Sequence, residues 1–300
     1  MTQSSNSYRG RFAPSPTGAL HFGSLVAAVG SYLDARSQGG EWLIRIEDLD
    51  PPREVPGAAD DILRTLEAFG FEWDGPVLYQ SQRLEAYGDA VTDLLHQHLA
   101  YPCGCSRKEI AIKGRTGAEG PIYPGLCRTG LAAGKEPRSL RLRTYPEPVI
   151  FKDRIQGQIQ QSVEAEIGDF IIRRADGLYA YQLAVVVDDG WQDINQVVRG
   201  CDLLISTPRQ IQLQSLLGLP SVTYAHLPLA VDADGAKLSK QEKAHPVEAK
   251  HPVPALLAAL EFLNQPLPAE RTLDLESLWE WATLYWDITR IPQQQKRPLP

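Results

Sequence analysis

The sequence predicts an α/β fold with a parallel sheet. Two observations carry the prediction: two strand–loop–helix units fill the first seventy residues, and core-like apolar density resumes after residue 168. Residues 7–14 have short strand character and run into the turn-rich Pro14-Ser15-Pro16-Thr17-Gly18, after which residues 24–35 carry Leu25, Val26, Val29 and Leu33 at helical spacing. Strand, loop and helix in this order open a nucleotide-binding unit. The second unit starts with a strand over residues 41–46 and ends in Glu47, Asp48, Asp50 and the Pro51-Pro52 break; residues 57–69 are again helical.

From residue 101 to about 147 the periodicity dissolves into Gly, Pro, Cys and Arg, so this stretch reads as an insertion, with strands expected over 139–145 and 151–158. Residues 169–174 and 179–187 restore core density, 194–199 reads as a buried strand and 208–217 as a helix. Residues 226–231 precede the turn Asp232-Ala233-Asp234-Gly235 and a lysine-rich loop, AKLSKQ, at 236–241. The 59 residues after Gln241 are mostly helical, with apolar patterns at 256–263 and 278–286, and finish in a frayed Pro/Gln/Lys tail. The expected organisation is a sheet domain in two halves, 1–100 and 166–245, an insertion at 101–165 and a short helical region at 246–300.

Composition narrows the function classes. Three hundred residues with 43% hydrophobic content and a net charge of −7 exclude a disordered or fibrous chain. The first eleven residues lack the apolar stretch of a signal peptide and no apolar run reaches ten, well below the ~18 that span a bilayer, so a cytoplasmic protein without a membrane partner is expected. The acidic balance argues against broad binding to nucleic acid, DNA included, while leaving a local basic contact open.

Three segments could carry chemistry. In Arg11-Phe12-Ala13-Pro14-Ser15-Pro16-Thr17-Gly18-Ala19-Leu20-His21-Phe22-Gly23-Ser24, two prolines and a glycine fix a loop and place His21 and Gly23 at a helix start. Unpaired N–H groups and the positive dipole end can hold phosphates there, an imidazole can donate to phosphate oxygens, and glycine permits close approach; the plainer alternative is a capped helix with a surface histidine. Lys237 and Lys240, in Lys237-Leu238-Ser239-Lys240, could neutralise a polyphosphate, or could simply be solvated. Of the four cysteines, Cys103, Cys105 and Cys127 fall within twenty-five residues of a Gly/Pro-rich segment, and Cys201 stands apart. Three thiolates there suit a tetrahedral zinc that supplies folding energy, with a thiolate or His as the fourth ligand by spacing alone; reduced structural cysteines are the alternative.

HFGS and KLSKQ, 216 residues apart between His21 and Lys237, resemble the paired HIGH and KMSKS signatures of class I aminoacyl-tRNA synthetases. Residues 11–18, Arg45-Ile46-Glu47-Asp48-Leu49-Asp50 and Arg199-Gly200-Cys201-Asp202-Leu203-Leu204 narrow the resemblance to the glutamyl/glutaminyl branch, over about residues 8–245. The short chain, the CxC…YxxxC element and EVPGAADDIL are most similar to the truncated glutamyl-queuosine tRNA(Asp) synthetases. HFGS lacks the second histidine of HIGH, and KLSKQ replaces KMSKS.

The resemblance implies a Rossmann-like parallel-sheet catalytic core with a zinc-containing insertion. It implies that Arg11 and Arg199 pair with a substrate carboxylate in fork geometry, that Glu47 accepts from the α-ammonium of L-glutamate, and that Ser15 and Tyr181 add neutral hydrogen bonds, with Phe12, Ala13 and Pro14 completing the glutamate site. Taken singly, Glu47 could be a helix-start charge, Tyr181 a core aromatic and Arg199 a surface residue. His21, Lys237 and Lys240 are the expected catalytic phosphate contacts, and His21, Gly23 and Lys240 the ATP site, with Mg2+ accompanying ATP. Tyr123 becomes the fourth ligand of one structural zinc beside Cys103, Cys105 and Cys127, leaving Cys201 unliganded. The implied activity is ATP-dependent formation of glutamyl-adenylate without tRNA, then transfer to queuosine in the anticodon loop of tRNA(Asp), with Arg173, Arg174 and Lys243 as conceivable phosphate contacts. The short stretch after Gln241, without a marked basic stripe, argues against ordinary charging of tRNA(Glu). That activity, a non-catalytic RNA-binding paralogue and an enzyme adenylating for a small amine are the rival readings.

Overall fold

In the computed structural model the described residues are 7–117, 119–232, 246–270 and 273–299. The first half is built from β1 (Arg9–Phe12), α1 (Phe22–Arg36), β2 (Glu41–Ile46), α2 (Ala58–Ala68) and β3 (Leu78–Tyr79). β1 pairs in parallel with β2 and β2 with β3, with Arg11 opposite Leu43 and Arg45 opposite Leu78. The second half contributes the parallel pair Gln196–Gly200 and Thr223–Leu227, in which Arg199 lies opposite His226. Asn195 joins the halves: its backbone N–H donates to the Arg9 carbonyl at 3.1 Å, and its side-chain oxygen accepts the Arg9 N–H at 2.9 Å.

α1 starts two residues earlier than its apolar spacing suggested, because His21 caps it: the ring Nδ1 accepts the Ser24 N–H at 3.2 Å. Every residue of α1 from Ala28 to Ala35 is buried, and Phe22 meets Phe262 of the helix Pro252–Phe262 edge-on at 5.9 Å. With strands on one side and that helix on the other, α1 has no solvent face to make polar.

The sheet of the inserted region is antiparallel, Ala100–Cys103 and Ile171–Arg173 flanking Ser139–Leu142, and so runs across the position of 165. The strand expected at 151–158 is instead a hairpin, Val149–Asp153 with Gly157–Gln161; Gly157 at φ +80° and Asp153, which accepts the N–H groups of Ile155 and Gln156, make its turn. That turn returns to the core, where the Arg154 N–H donates to the Tyr224 carbonyl at 2.9 Å.

The tail, expected to fray, is ordered: Lys296–Pro298 pairs in parallel with Leu229–Val231, and Gln156 Nε2 donates to the Gln294 carbonyl at 3.1 Å. Backbone pairing anchors a segment whose side chains give no apolar signal. Among the described residues no helix is long and apolar enough to cross a membrane.

Candidate active site

The C-terminal ends of β1, β2 and Gln196–Gly200 and the start of α1 converge on a cavity of about 290 Å³. An open parallel sheet places ligands at this edge. Arg11, Phe12, Ala13, Pro14, Ser15, His21, Gly23, Glu47, Tyr181 and Arg199, the described residues expected for glutamate and ATP, all line it. Lys237 and Lys240, with Lys243, lie outside the described residues. The flanks of that segment border the site: Ala230 lines the cavity, and Pro246 forms a β-bridge with His21.

Two backbone bonds hold the loop after β1 in place. The Glu47 N–H donates to Pro14 O at 3.0 Å and the Val55 N–H to Pro16 O at 2.9 Å. Phe12 lines the cavity but turns its ring into the core, stacked at 9° on Trp42 with 6.2 Å between centroids. Ser15 is exposed at the rim. His21 touches Ser24 with both nitrogens, Nδ1 to its N–H and Nε2 to its Oγ at 3.2 Å. Because Nδ1 accepts, the proton of the neutral ring sits on Nε2.

The two arginines differ from the expected pair of free forks. Arg11 gives Nε and Nη2 to the two oxygens of Asp189, at 3.0 and 3.3 Å, so its fork is closed on the protein. Arg45, fully buried, gives Nη1 to Asp189 at 2.8 Å and to Gln192 Oε1 at 2.9 Å. Asp189, although burial opposes ionisation, is held below the usual carboxylate range by Arg11 and Arg45. Arg199 is 5% exposed, not a surface residue; Nε donates to His226 Nε2 at 3.1 Å, and Nη2 to Thr207 Oγ1 at 2.8 Å and Gln210 Oε1 at 2.7 Å. Its Nη1 is buried without a partner.

Glu47 mirrors that imbalance. Its Oε1 is buried without a hydrogen bond, 3.6 Å from Arg45 Nη2, and burial pushes its carboxyl up. Burial, then the nearby Glu47, raises the Tyr181 phenol, which stays a donor. A buried donor and a buried carboxylate oxygen in one cavity, each without a hydrogen bond, carry a desolvation cost that a zwitterion bearing an extra carboxylate can relieve.

Sequence reasoning missed Arg45, Asp189, Asp153 and His226. A charge inside an apolar run was the available signal: Arg45 interrupts Trp42-Leu43-Ile44, and Asp188-Asp189 follows Val185-Val186-Val187.

Cys103, Cys105 and Cys127 are buried, with their sulfurs mutually within 4.8 Å; Cys105 and Cys127 are 3.6 Å apart. Tyr123 Oη lies 3.4 Å from Cys103 Sγ and 4.0 Å from Cys105 Sγ, and accepts the Cys127 N–H at 2.8 Å. A tetrahedron with metal–sulfur bonds of about 2.3 Å has sulfur–sulfur edges of about 3.8 Å, so the donor set fits a zinc-sized ion. Burial alone would raise Cys103, but its hydrogen bonds with Tyr123, the Cys105 backbone and Arg141 bring it to about 7. Cys201 is buried elsewhere, outside this group, and burial pushes it up to about 12.

The profile of tRNA synthetases class I (E and Q), catalytic domain, matches residues 7–252. The chain belongs to that family. It is 58% identical over 296 residues, 98% of both chains, to the Glutamyl-Q tRNA(Asp) synthetase of Dechloromonas aromatica. It is 54% identical to the proteins of that name from Chromobacterium violaceum and Pseudomonas aeruginosa, over 95% and 96% of each chain. It is therefore a class I synthetase of the glutamyl-Q tRNA(Asp) synthetase branch, a ligase that places glutamate on tRNA. Among solved structures a glutamate tRNA ligase from Elizabethkingia meningosepticum superimposes with a TM-score of 0.82 at 23% identity, over 98% of this chain and 67% of that one, in agreement with the synthetase fold. ATP with Mg2+ belongs to the family's chemistry.

Proposed function

We propose that this synthetase activates L-glutamate with ATP in the absence of tRNA and transfers the glutamyl group to queuosine in the anticodon loop of tRNA(Asp). The observation that carries the glutamate half is the presence in one cavity of Arg199 Nη1 and Glu47 Oε1, both buried and both without a hydrogen bond. The side-chain carboxylate of glutamate answers Arg199 and its α-ammonium answers Glu47, with Arg11 steadied by Asp189 and Tyr181 as a neutral donor. The α-carboxylate then attacks the α-phosphorus of ATP: a carbon-bound oxygen joins phosphorus, the bridge to the β-phosphate breaks, and pyrophosphate departs. No general base is needed, since the attacking carboxylate is already an anion at pH 7.

The N-terminal end of α1 supplies N–H donors for the phosphates with the His21 ring beside it, and Gly23 adds no side chain there. Lys237 and Lys240 fit the neutralisation of pyrophosphate by their place in the sequence motif. Magnesium, carried by ATP, reduces the charge of the triphosphate. A zinc held by Cys103, Cys105, Cys127 and Tyr123 fixes the inserted region and takes no part in the reaction. The free state of all four cysteines accords with a cytoplasmic setting.

The acceptor half rests on the relatives' names. Incorporation of labelled glutamate into tRNA(Asp) with queuosine, tRNA(Asp) without it, and tRNA(Glu) tests it. Label is expected only in the first; label in tRNA(Glu) alone would establish the conventional charging activity instead.

A further inference from the structure

The charge on Arg199 is kept for a ligand by an arrangement that neither family signature includes. Arg11 and Arg45 share a carboxylate directly, Asp189, whereas none of the ion pairs among the described residues involves Arg199. Its three bonded N–H groups go to neutral acceptors, His226, Thr207 and Gln210. An Arg Nε–H can only donate, so His226 Nε2 must be unprotonated and the ring proton sits on Nδ1. That proton is donated to Asp153 Oδ2 at 2.6 Å. Asp153 is 1% exposed, and its Oδ1 also accepts the N–H groups of Ile155, Gln156 and His226, which lock the carboxylate at the hairpin turn. The carboxylate thus acts on Arg199 only through an imidazole. It fixes the ring's tautomer without touching the guanidinium.

We propose that Asp153 and His226 are positioning residues that make the cavity select a side-chain carboxylate over a carboxamide. A carboxylate bonded to Arg199 itself would neutralise it, and a carboxamide oxygen would then serve the substrate's role nearly as well. With neutral acceptors on Nε and Nη2, a cavity-lining guanidinium keeps its charge and leaves Nη1 without a hydrogen bond, and an anionic ligand compensates it better than a neutral one. The inference rests on the glutamate reading of the cavity.

Glutamate-dependent pyrophosphate exchange, with separate KM values for glutamate and ATP, tests it on the full chain. His226→Leu removes the acceptor, and is expected to raise the glutamate KM at least about tenfold, to lower the glutamate/glutamine ratio of kcat/KM about as much, and to leave the ATP KM within about twofold. His226→Gln can accept from Arg199 and donate to Asp153, and is expected to restore the glutamate KM to within about threefold. Should His226→Leu fail to fold, Asp153→Asn decides: its carboxamide N–H facing Nδ1 moves the ring proton to Nε2, against Arg199, and the glutamate KM rises severalfold. Glutamate and ATP KM values that rise together, or a glutamate KM that stays put in the folded variants, would overturn the proposal while wild-type exchange left the glutamate reading standing. Wild-type protein that exchanges with no amino acid would overturn both.

Discussion

Asp189 binds Arg11 through both oxygens, and one of them, Oδ1, also accepts from Arg45 at 2.8 Å. One buried carboxylate therefore holds two guanidinium groups from neighbouring strands, and ties the helix Tyr181–Trp191 to the sheet edge where the cavity opens.

Removing that carboxylate strands two buried cations. Asp189→Ala is expected to lower stability by about 3–5 kcal/mol, read from the urea midpoint. A midpoint within experimental error of wild type would contradict the account of the sheet edge.

Glu47→Gln keeps the shape but loses the anion. Its glutamate KM should rise about tenfold or more while the ATP KM stays within about twofold. Stability should hold or improve, since a carboxylate whose pKa burial has raised costs energy to keep ionised. An ATP KM that rises in step would move Glu47 out of the amino-acid site.

For the metal, atomic emission should find about one zinc per chain in wild type and none in the Cys103→Ala/Cys127→Ala double variant, which should also melt at a lower temperature. Equal zinc in both proteins would refute the site.

His226 gives a pH prediction. Burial foremost, with the nearby Arg199, holds its pKa down to about 4 from an ordinary 6.5, against the opposing pull of Asp153. The unfolded chain therefore takes up a proton below pH 6.5 that the folded chain refuses, and stability falls as pH drops from 6.5 to about 4, by at most about 3 kcal/mol, then levels for this group. His226→Gln should remove that part of the decline. Identical losses in variant and wild type between pH 7 and 4.5 would contradict a neutral His226.

Much of the architecture was legible in the residues. Strand 41–46 and the helix near 57–69 followed from apolar spacing alone, and the turn residues between Pro14 and Gly18 announced the loop that frames the site. Harder to see was anything decided by long-range pairing. Nothing local distinguishes the hairpin around Asp153 from one strand, or shows that its carboxylate meets His226, 73 residues away. Nor does the sequence around Arg11 disclose that Asp189, 178 residues on, closes its fork. The tail made the same point, since Lys296–Pro298 is held by its backbone against Leu229–Val231.

Pyrophosphate exchange into ATP, driven by single amino acids in the absence of tRNA, bears most directly on the central claim. Exchange with L-glutamate but not L-glutamine or L-aspartate, falling by about tenfold or more in Arg199→Leu, is the predicted result. No exchange with glutamate until tRNA is added, or equal exchange with glutamine, would contradict it.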